Sequence, residues 1–470
     1  MTISFFDVET PFPVYCNDCW WSDKWDPASY GQEFDFSRPF FDQFQELLQA
    51  VPKAGVLQIN NENSEYNSLL AYSKNTYMSP GSYYAEDCLY VRKSQYSKDC
   101  LNANFLDHCE LTAFSTNCRN CYRAHHLINC RGCSESAYLE NCVNCQDCFM
   151  GCNLTGKRFY FKNRQLSEED YRRTVESYKS KSLKEVWAEF EQFKNGEPKR
   201  YQNQLNCENS SGDYLYNSRN ASDCYDCFDI EDSKYLVECV TVKNSMDLSM
   251  HDKDIEFCYE LCTGGESNYN LKFGLCACAS PNSSYLYSCF YLNDSFGCDG
   301  IHARQKNFIL NKKYSEKEYE SLVSRVIEHM KKTGEYGEFF PIRISPFPYN
   351  ETVAQDYFPL SKEEALRKGY SWKDSKDDLS KDEGANIMAC EECGTAYRVL
   401  TQEKNLSEKI GVSISEKCVN CRFLELFSWK NPRHLWERSC AKCSIQIQTT
   451  TSPDFPGKVY CEACYLATVY

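Results

Sequence analysis

The chain is 470 residues long, with 31 cysteines, 34 tyrosines, 28 phenylalanines and a formal net charge of −15. So many aromatic side chains exclude a disordered polypeptide, and the length is enough for about three domains. The acidic balance argues against wholesale binding to a polyphosphate backbone, although the charge is uneven: residues 390–470 hold ten Lys or Arg against nine Asp or Glu, so any anionic partner would meet that end.

Residues 1–35 form an aromatic-rich arm containing Trp20, Trp21 and Trp25, with one CxxC pair, Cys16 and Cys19. Its first 13 residues have neither the basic segment nor the apolar stretch of a signal peptide, and no run in the chain approaches the roughly 18 apolar residues of a membrane span. The expectation is a cytoplasmic protein with no membrane partner. In a reducing cytosol disulfides rarely persist, so cysteines spaced as CxxC point to metal.

Residues 36–60 predict a helix capped by Ser37, with Phe40, Phe41, Phe44, Leu47 and Leu48 on one face and Val51-Pro52 as its stop. A first cysteine array follows over 61–165. From Cys88 its cysteines run at intervals of 12, 9, 9, 12 and 12 through Cys100, Cys109, Cys118, Cys130 and Cys142, mostly preceded by Asn or Asp. Such a cadence marks a repeat. Apolar residues occur in short bursts bounded by turn formers, so a unit of 9 or 12 residues predicts a parallel β-solenoid whose coils stack about 4.8 Å apart. Cysteine suits its interior because it is small and tolerates full burial, while Asn and Asp accept left-handed turns.

A helical insert over 166–200 has two predicted starts, at Ser167 with Asp170 and at Ser182 with Glu185. A second, more loosely spaced array covers 201–313. Both arrays end alike: YFKNRQLSEEDY, from Tyr160, matches FILNKKYSEKEY, from Phe308, at a constant offset of 148, which reads as an internal duplication. A capping helix over 314–334, a strap over 335–372 and an acidic linker over 373–387 lead to a double zinc ribbon over 388–470. The fold class is thus mainly β, with two Cys-rich solenoid arrays each capped by helix, plus the ribbons.

The metal signal is strongest there. Cys390, Cys393, Cys418, Cys421, Cys440, Cys443, Cys461 and Cys464 make four CxxC pairs, the last two separated by 17 residues and the first two by 24. Two CxxC turns complete a tetrahedral zinc site and supply folding energy that a small module otherwise lacks. Consecutive pairing gives two ribbons; interleaved pairing is the alternative. A tetrathiolate leaves no position for water, which makes the zinc structural. Within the arrays, Cys142, Cys145, Cys148 and Cys152 are the densest group and the place to expect an additional metal cluster; elsewhere the array thiols read as core. The segment PVYCNDCWW around Cys16 and Cys19 parallels KVYCEACYL around Cys461 and Cys464, half a ribbon without its other half, so the pair is either completed by distant residues or carries no metal.

Between the ribbons Arg422, Trp429, Lys430, Arg433, Trp436, Arg438 and Lys442 interleave basic and aromatic side chains, as a nucleic-acid surface would. The plainer alternative is a solvated face packed around two tryptophans. The segments YCNDCWWSDKWDPASYG, FSRPFFDQF, ISPFPYNETVAQDYFPLSKEEA and NPRHLWERSCAKCSIQIQTTTSPDFPGKVYCEACY resemble an uncharacterised family of cysteine-rich, zinc-ribbon-bearing proteins of reduced-genome bacteria. The resemblance implies Asn-Cys arrays joined to ribbons and implies no activity. No phosphate loop, nucleophile elbow or metallohydrolase histidine spacing is present. The function expected is a non-enzymatic zinc-binding scaffold for an unidentified protein partner, with nucleic-acid binding through the ribbons, and metal storage or thiol redox buffering, as alternatives.

Overall fold

A computed structural model describes residues 3–251, 253–374 and 386–469. Its backbone turns at every third residue. Asp87, Tyr90, Lys93, Tyr96, Asp99 and Asn102 all lie at φ between 47° and 56°, and the same beat runs with few interruptions from Asn60 to Leu310. Between these turns, one residue of each triplet points inward: Cys88, Val91, Ser94, Ser97, Cys100 and Ala103 are all buried. Four triplets close one coil, so Leu89, Leu101, Ala113, His125, Ala137, Phe149 and Phe161 stack as one parallel ladder at steps of 12. The cysteine intervals of 9 and 12 are therefore multiples of a three-residue unit. The second array slips to coils of 11 and 13 residues, as at Gln204↔Leu215 and Met246↔Tyr259, which explains its looser spacing.

Left-handed backbone is unfavourable for side chains other than glycine. The arrays offset this with ladders. Asn209 donates to Asn220 (2.9 Å) and Asn220 to Asp232 (2.7 Å), one coil apart. Tyr72, Tyr84, Tyr96 and His108 stack with ring centroids 5.0, 4.8 and 4.8 Å apart, close to the spacing between coils. Inside the first array, the inward thiols lie against two carbonyls, as Cys130 does against Ile128 O (3.4 Å) and Leu139 O (3.5 Å). Serine fills the same inward positions and bonds the same carbonyls, as Ser82 does with Val91 O.

Each array ends in a short antiparallel hairpin, Arg158–Phe161 with Arg164–Gln165 and Phe308–Ile309 with Lys312–Lys313, at the offset of the duplication. The helices, in chain order, are α1 (Asn17–Trp20), α2 (Phe40–Ala50), α3 (Glu168–Tyr178), α4 (Leu183–Gly196), α5 (Glu316–Thr333), α6 (Val353–Tyr357), α7 (Lys362–Arg367), α8 (Thr401–Ile410), α9 (Val419–Ser428) and α10 (Glu462–Val469). Ser182 and Ser315 start α4 and α5 with full capping boxes, whereas Ser167 accepts from Asp170 N without the reciprocal bond. α3 and α4 cover Tyr138, Phe149 and Met150 near the end of the first array. α2 and α5 instead share a core with Tyr285, Phe296 and Ile309 of the second.

Ser37 does not cap α2. Pro39 is its N-cap residue, and the carboxylate of Glu335 accepts from Phe40 N (2.9 Å) and Phe41 N (2.8 Å) across 295 residues of chain. A proline at that position has no side chain to accept with, so a distant carboxylate takes the first-turn N–H groups.

The two arrays lie side by side with opposite axial directions. Lys93 pairs with Glu238, Arg119 sits over Phe228 and Asn129 donates to Asn203, so numbers rise in one array as they fall in the other. The strap carries 3-10 turns at Ile342–Ile344 and Tyr349–Glu351, and Phe347 stacks on Phe6. Most of the acidic linker, residues 375–385, falls outside the described residues. No helix among the described residues is long and apolar enough to cross a membrane.

Candidate metal centres

All 31 cysteines are free thiols. Eight of them gather into two quartets, Cys390, Cys393, Cys418 and Cys421, and Cys440, Cys443, Cys461 and Cys464, with the sulfurs of each quartet within 4.8 Å of one another. The pairing is consecutive, not interleaved. Both quartets are built from the same two parts. The first is a hairpin turn: Gly394 N donates to Cys390 O (2.9 Å) and Ser444 N to Cys440 O (2.9 Å), with Gly394 at φ 73° and Ser444 at φ 63°. This left-handed residue folds the two thiols of each CxxC onto one side. The second part is a helix start, with Cys418 at the N-cap of α9 and Cys461 just ahead of α10. The helix N-terminus favours the anionic form of a thiol, but burial and the neighbouring sulfurs outweigh it and leave Cys418 and Cys461 raised.

Across the two parts, the sulfurs of Cys393 and Cys418 and those of Cys443 and Cys461 are 3.7 Å apart. A tetrahedron with metal–sulfur bonds of about 2.3 Å has edges of roughly 3.8 Å, so both quartets fit one ion of that size. Electrostatics points the same way. Burial would raise the Cys390 and Cys440 thiols, but the backbone N–H groups of Cys418 and Cys461, with others, outweigh it and bring both down to about 6. Cys421 and Cys464 are pushed up, by burial and then by the neighbouring sulfurs. Four thiolates this close repel, and a divalent cation is what lets all four ionise together.

The first quartet rests on the first array, where Leu406 of α8 and Val419 and Phe423 of α9 pack against Leu89, Leu101 and Ala113. Arg422, fully buried, bonds Glu403 (2.7 Å) and Asn102 (3.1 Å). The second quartet spans both arrays. Strand Val459–Tyr460 runs parallel to Lys199–Arg200, Arg200 grips Glu462 with two bonds of 2.6 Å, and Tyr465 donates to Asn153 (2.8 Å) in the last coil of the first array.

The residues between the quartets are turned inward. Lys430 pairs with Asp226; Arg433 pairs with both Asp226 and Glu238 and sits over Tyr357. Trp429 stacks on Trp187 at 4.4 Å, and Arg438 donates to Ser452 O. Trp436 is half-buried against His434, and of the seven candidates for nucleic-acid contact only Lys442 is exposed. The acidic partners Asp226 and Glu238 stand about two hundred residues upstream, so no local pattern reveals that these cations are already neutralised.

The group Cys142, Cys145, Cys148 and Cys152 does not converge. The first three fall one triplet apart and point inward on successive sides of a coil, while Cys152 is out of phase and packs outside among α4 residues. Among the described residues the two ribbon quartets are the only groups of three or more metal-ligating side chains. Cys16 and Cys19 stand at the N-terminus of α1 as free thiols joined by a hydrogen bond, and among the described residues no third ligand is brought to them. No family model matches the sequence.

Proposed function

We propose that the protein is a non-enzymatic scaffold in which two zinc ions fasten a pair of side-by-side solenoids into one rigid surface. The observation that supports this most directly is the placement of the two quartets: one is seated on the first array, the other spans both, and the segment joining them threads Lys430 and Arg433 into the acidic residues of the second array. Zinc suits four thiolates in tetrahedral geometry, and a closed tetrathiolate holds shape without offering a position for chemistry. The outer face of the first array supplies the presenting surface, where Tyr72, Tyr84 and Tyr96 stack with about half of each side chain exposed. A protein partner for that face is part of the reading, and so is membership of the cysteine-rich, ribbon-bearing family that the motifs resemble. Nucleic-acid binding is less well supported, because most of the cations it needs have partners inside the chain. Storage is disfavoured by thiols strung along an axis without convergence.

Chelation followed by hydrogen exchange tests the fastening. Removing metal is expected to deprotect Leu89–Gln95 in the first array and Cys224–Lys243 in the second, both far in sequence from the ligands. Unchanged protection in metal-free protein would contradict the proposal.

A further inference from the structure

The N-terminal CxxC and the C-terminal one are equivalent bond for bond. Strand Val14–Tyr15 runs parallel to Lys53–Ala54 as Val459–Tyr460 does to Lys199–Arg200. Lys53 N donates to Pro13 O (2.9 Å) as Lys199 N does to Lys458 O (2.8 Å), Gly55 N to Tyr15 O (2.8 Å) as Tyr201 N to Tyr460 O (3.0 Å), and Trp20 N to Cys16 O as Tyr465 N to Cys461 O, both 2.9 Å. Even the surroundings correspond. The C-terminal pair stands between the end of the first array and the start of the second, as Tyr465 on Asn153 and Arg200 on Glu462 show. The N-terminal pair stands between the end of the second and the start of the first: Trp20 packs on Phe290 and His302, and Gln58 N donates to Asn17.

What differs is the second half. At the C-terminal site the hairpin bearing Cys440 and Cys443 docks on this strand, with Ala441 N donating to Val459 O (2.9 Å) and Cys461 N meeting the Cys440 sulfur at 3.3 Å. Among the described residues no hairpin performs these contacts at Val14 and Cys16. The side chains of Asp18 and Cys19 face solvent there.

We propose that Cys16 and Cys19 are the resident half of a third tetrathiolate site, completed by a CxxC hairpin of a partner protein, so that one soft divalent ion joins the two molecules. The fold dictates the partner's form. It must bring two thiolates on a tight hairpin whose backbone N–H reaches the Val14 carbonyl, as Ala441 reaches Val459. The inference rests on reading the Cys440, Cys443, Cys461 and Cys464 quartet as a metal site.

The test uses the full chain with its two closed sites filled by zinc, Co2+ as the added ion, and a synthetic peptide of residues 434–450, which carries Cys440 and Cys443. The expected result is a third equivalent of metal bound at one peptide per chain, with the absorption of a tetrahedral cobalt tetrathiolate that neither peptide nor chain gives alone. The Cys16→Ser/Cys19→Ser chain should retain two zinc ions, which reports on the closed sites independently, yet give no such spectrum; a peptide with both cysteines changed to serine should also fail. The absence of a third equivalent would overturn the inference, as would an undiminished signal from the serine variant. Metal-driven dimerisation of the chain through Cys16 and Cys19 without peptide would overturn the assignment of a hairpin partner.

Discussion

A backbone that enters the left-handed region at one residue in three asks each side chain there to recover about 1–2 kcal/mol, the usual excess over the right-handed forms. Asn220 does so by bonding both neighbours in its ladder at φ 51°. Replacing it by valine, whose branched side chain tolerates that backbone poorly, is expected to lower stability in urea denaturation by about 2–3 kcal/mol, while Asn220→Gly, which keeps the conformation, should lose about 1 kcal/mol or less. Equal losses would mean that the backbone geometry contributes nothing. Asp299 carries a different signature. Burial pushes its carboxyl up to about 7, against the pull of the adjacent Lys53 ammonium, which the same burial pushes down. Between its unfolded value near 4 and about 7, the folded protein holds a proton that the unfolded chain releases, so this group's contribution to stability is full at acid pH and fades as pH rises towards 7. Denaturation midpoints measured from pH 4 to 7 should show that decline, and Asp299→Asn should flatten it; a decline of the same slope in the variant would contradict the assignment.

The capped helices test how closely the duplicated halves match. Glu318→Ala removes the carboxylate that accepts from Ser315 N (3.0 Å) and is expected to reduce stability by about 1 kcal/mol, whereas Asp170→Ala, whose carboxylate takes no bond from the Ser167 backbone, should cost less. Thermal denaturation of the two variants ranks them, and the reverse order would show that the caps do not carry the difference. The duplication, these helix starts and the solenoid class were all legible from sequence, because aromatic hairpins and Ser-x-x-Glu starts are local signals. The three-residue unit was not. Its turn positions hold Tyr, Lys, Leu and Met beside the commoner Asn and Asp, so composition conceals it, although the common factor of the intervals 9 and 12 carries the information. The cap of α2 was equally hidden, since Glu335 belongs to a distant segment.

In the proposed function the ribbons act as a clasp between the two side-by-side solenoids. The two cysteine quartets were legible as four CxxC pairs, and geometry resolves the pairing that spacing left open. The fate of the basic segment between them was not legible, because Asp226 and Glu238 lie at left-handed turns of an array that looks, in sequence, like a separate unit. The densest cysteine group misled for a related reason: proximity along the chain becomes separation around a coil. Everything in this account depends on two closed tetrathiolate sites holding the clasp shut. The direct measurement is the metal content of natively purified, desalted protein, with the Cys390→Ser/Cys393→Ser and Cys440→Ser/Cys443→Ser variants alongside. Two zinc ions per chain are predicted, falling to one in either variant. A metal-free protein with full protection of its arrays, or a load of many ions per chain that survives both substitutions, would contradict it.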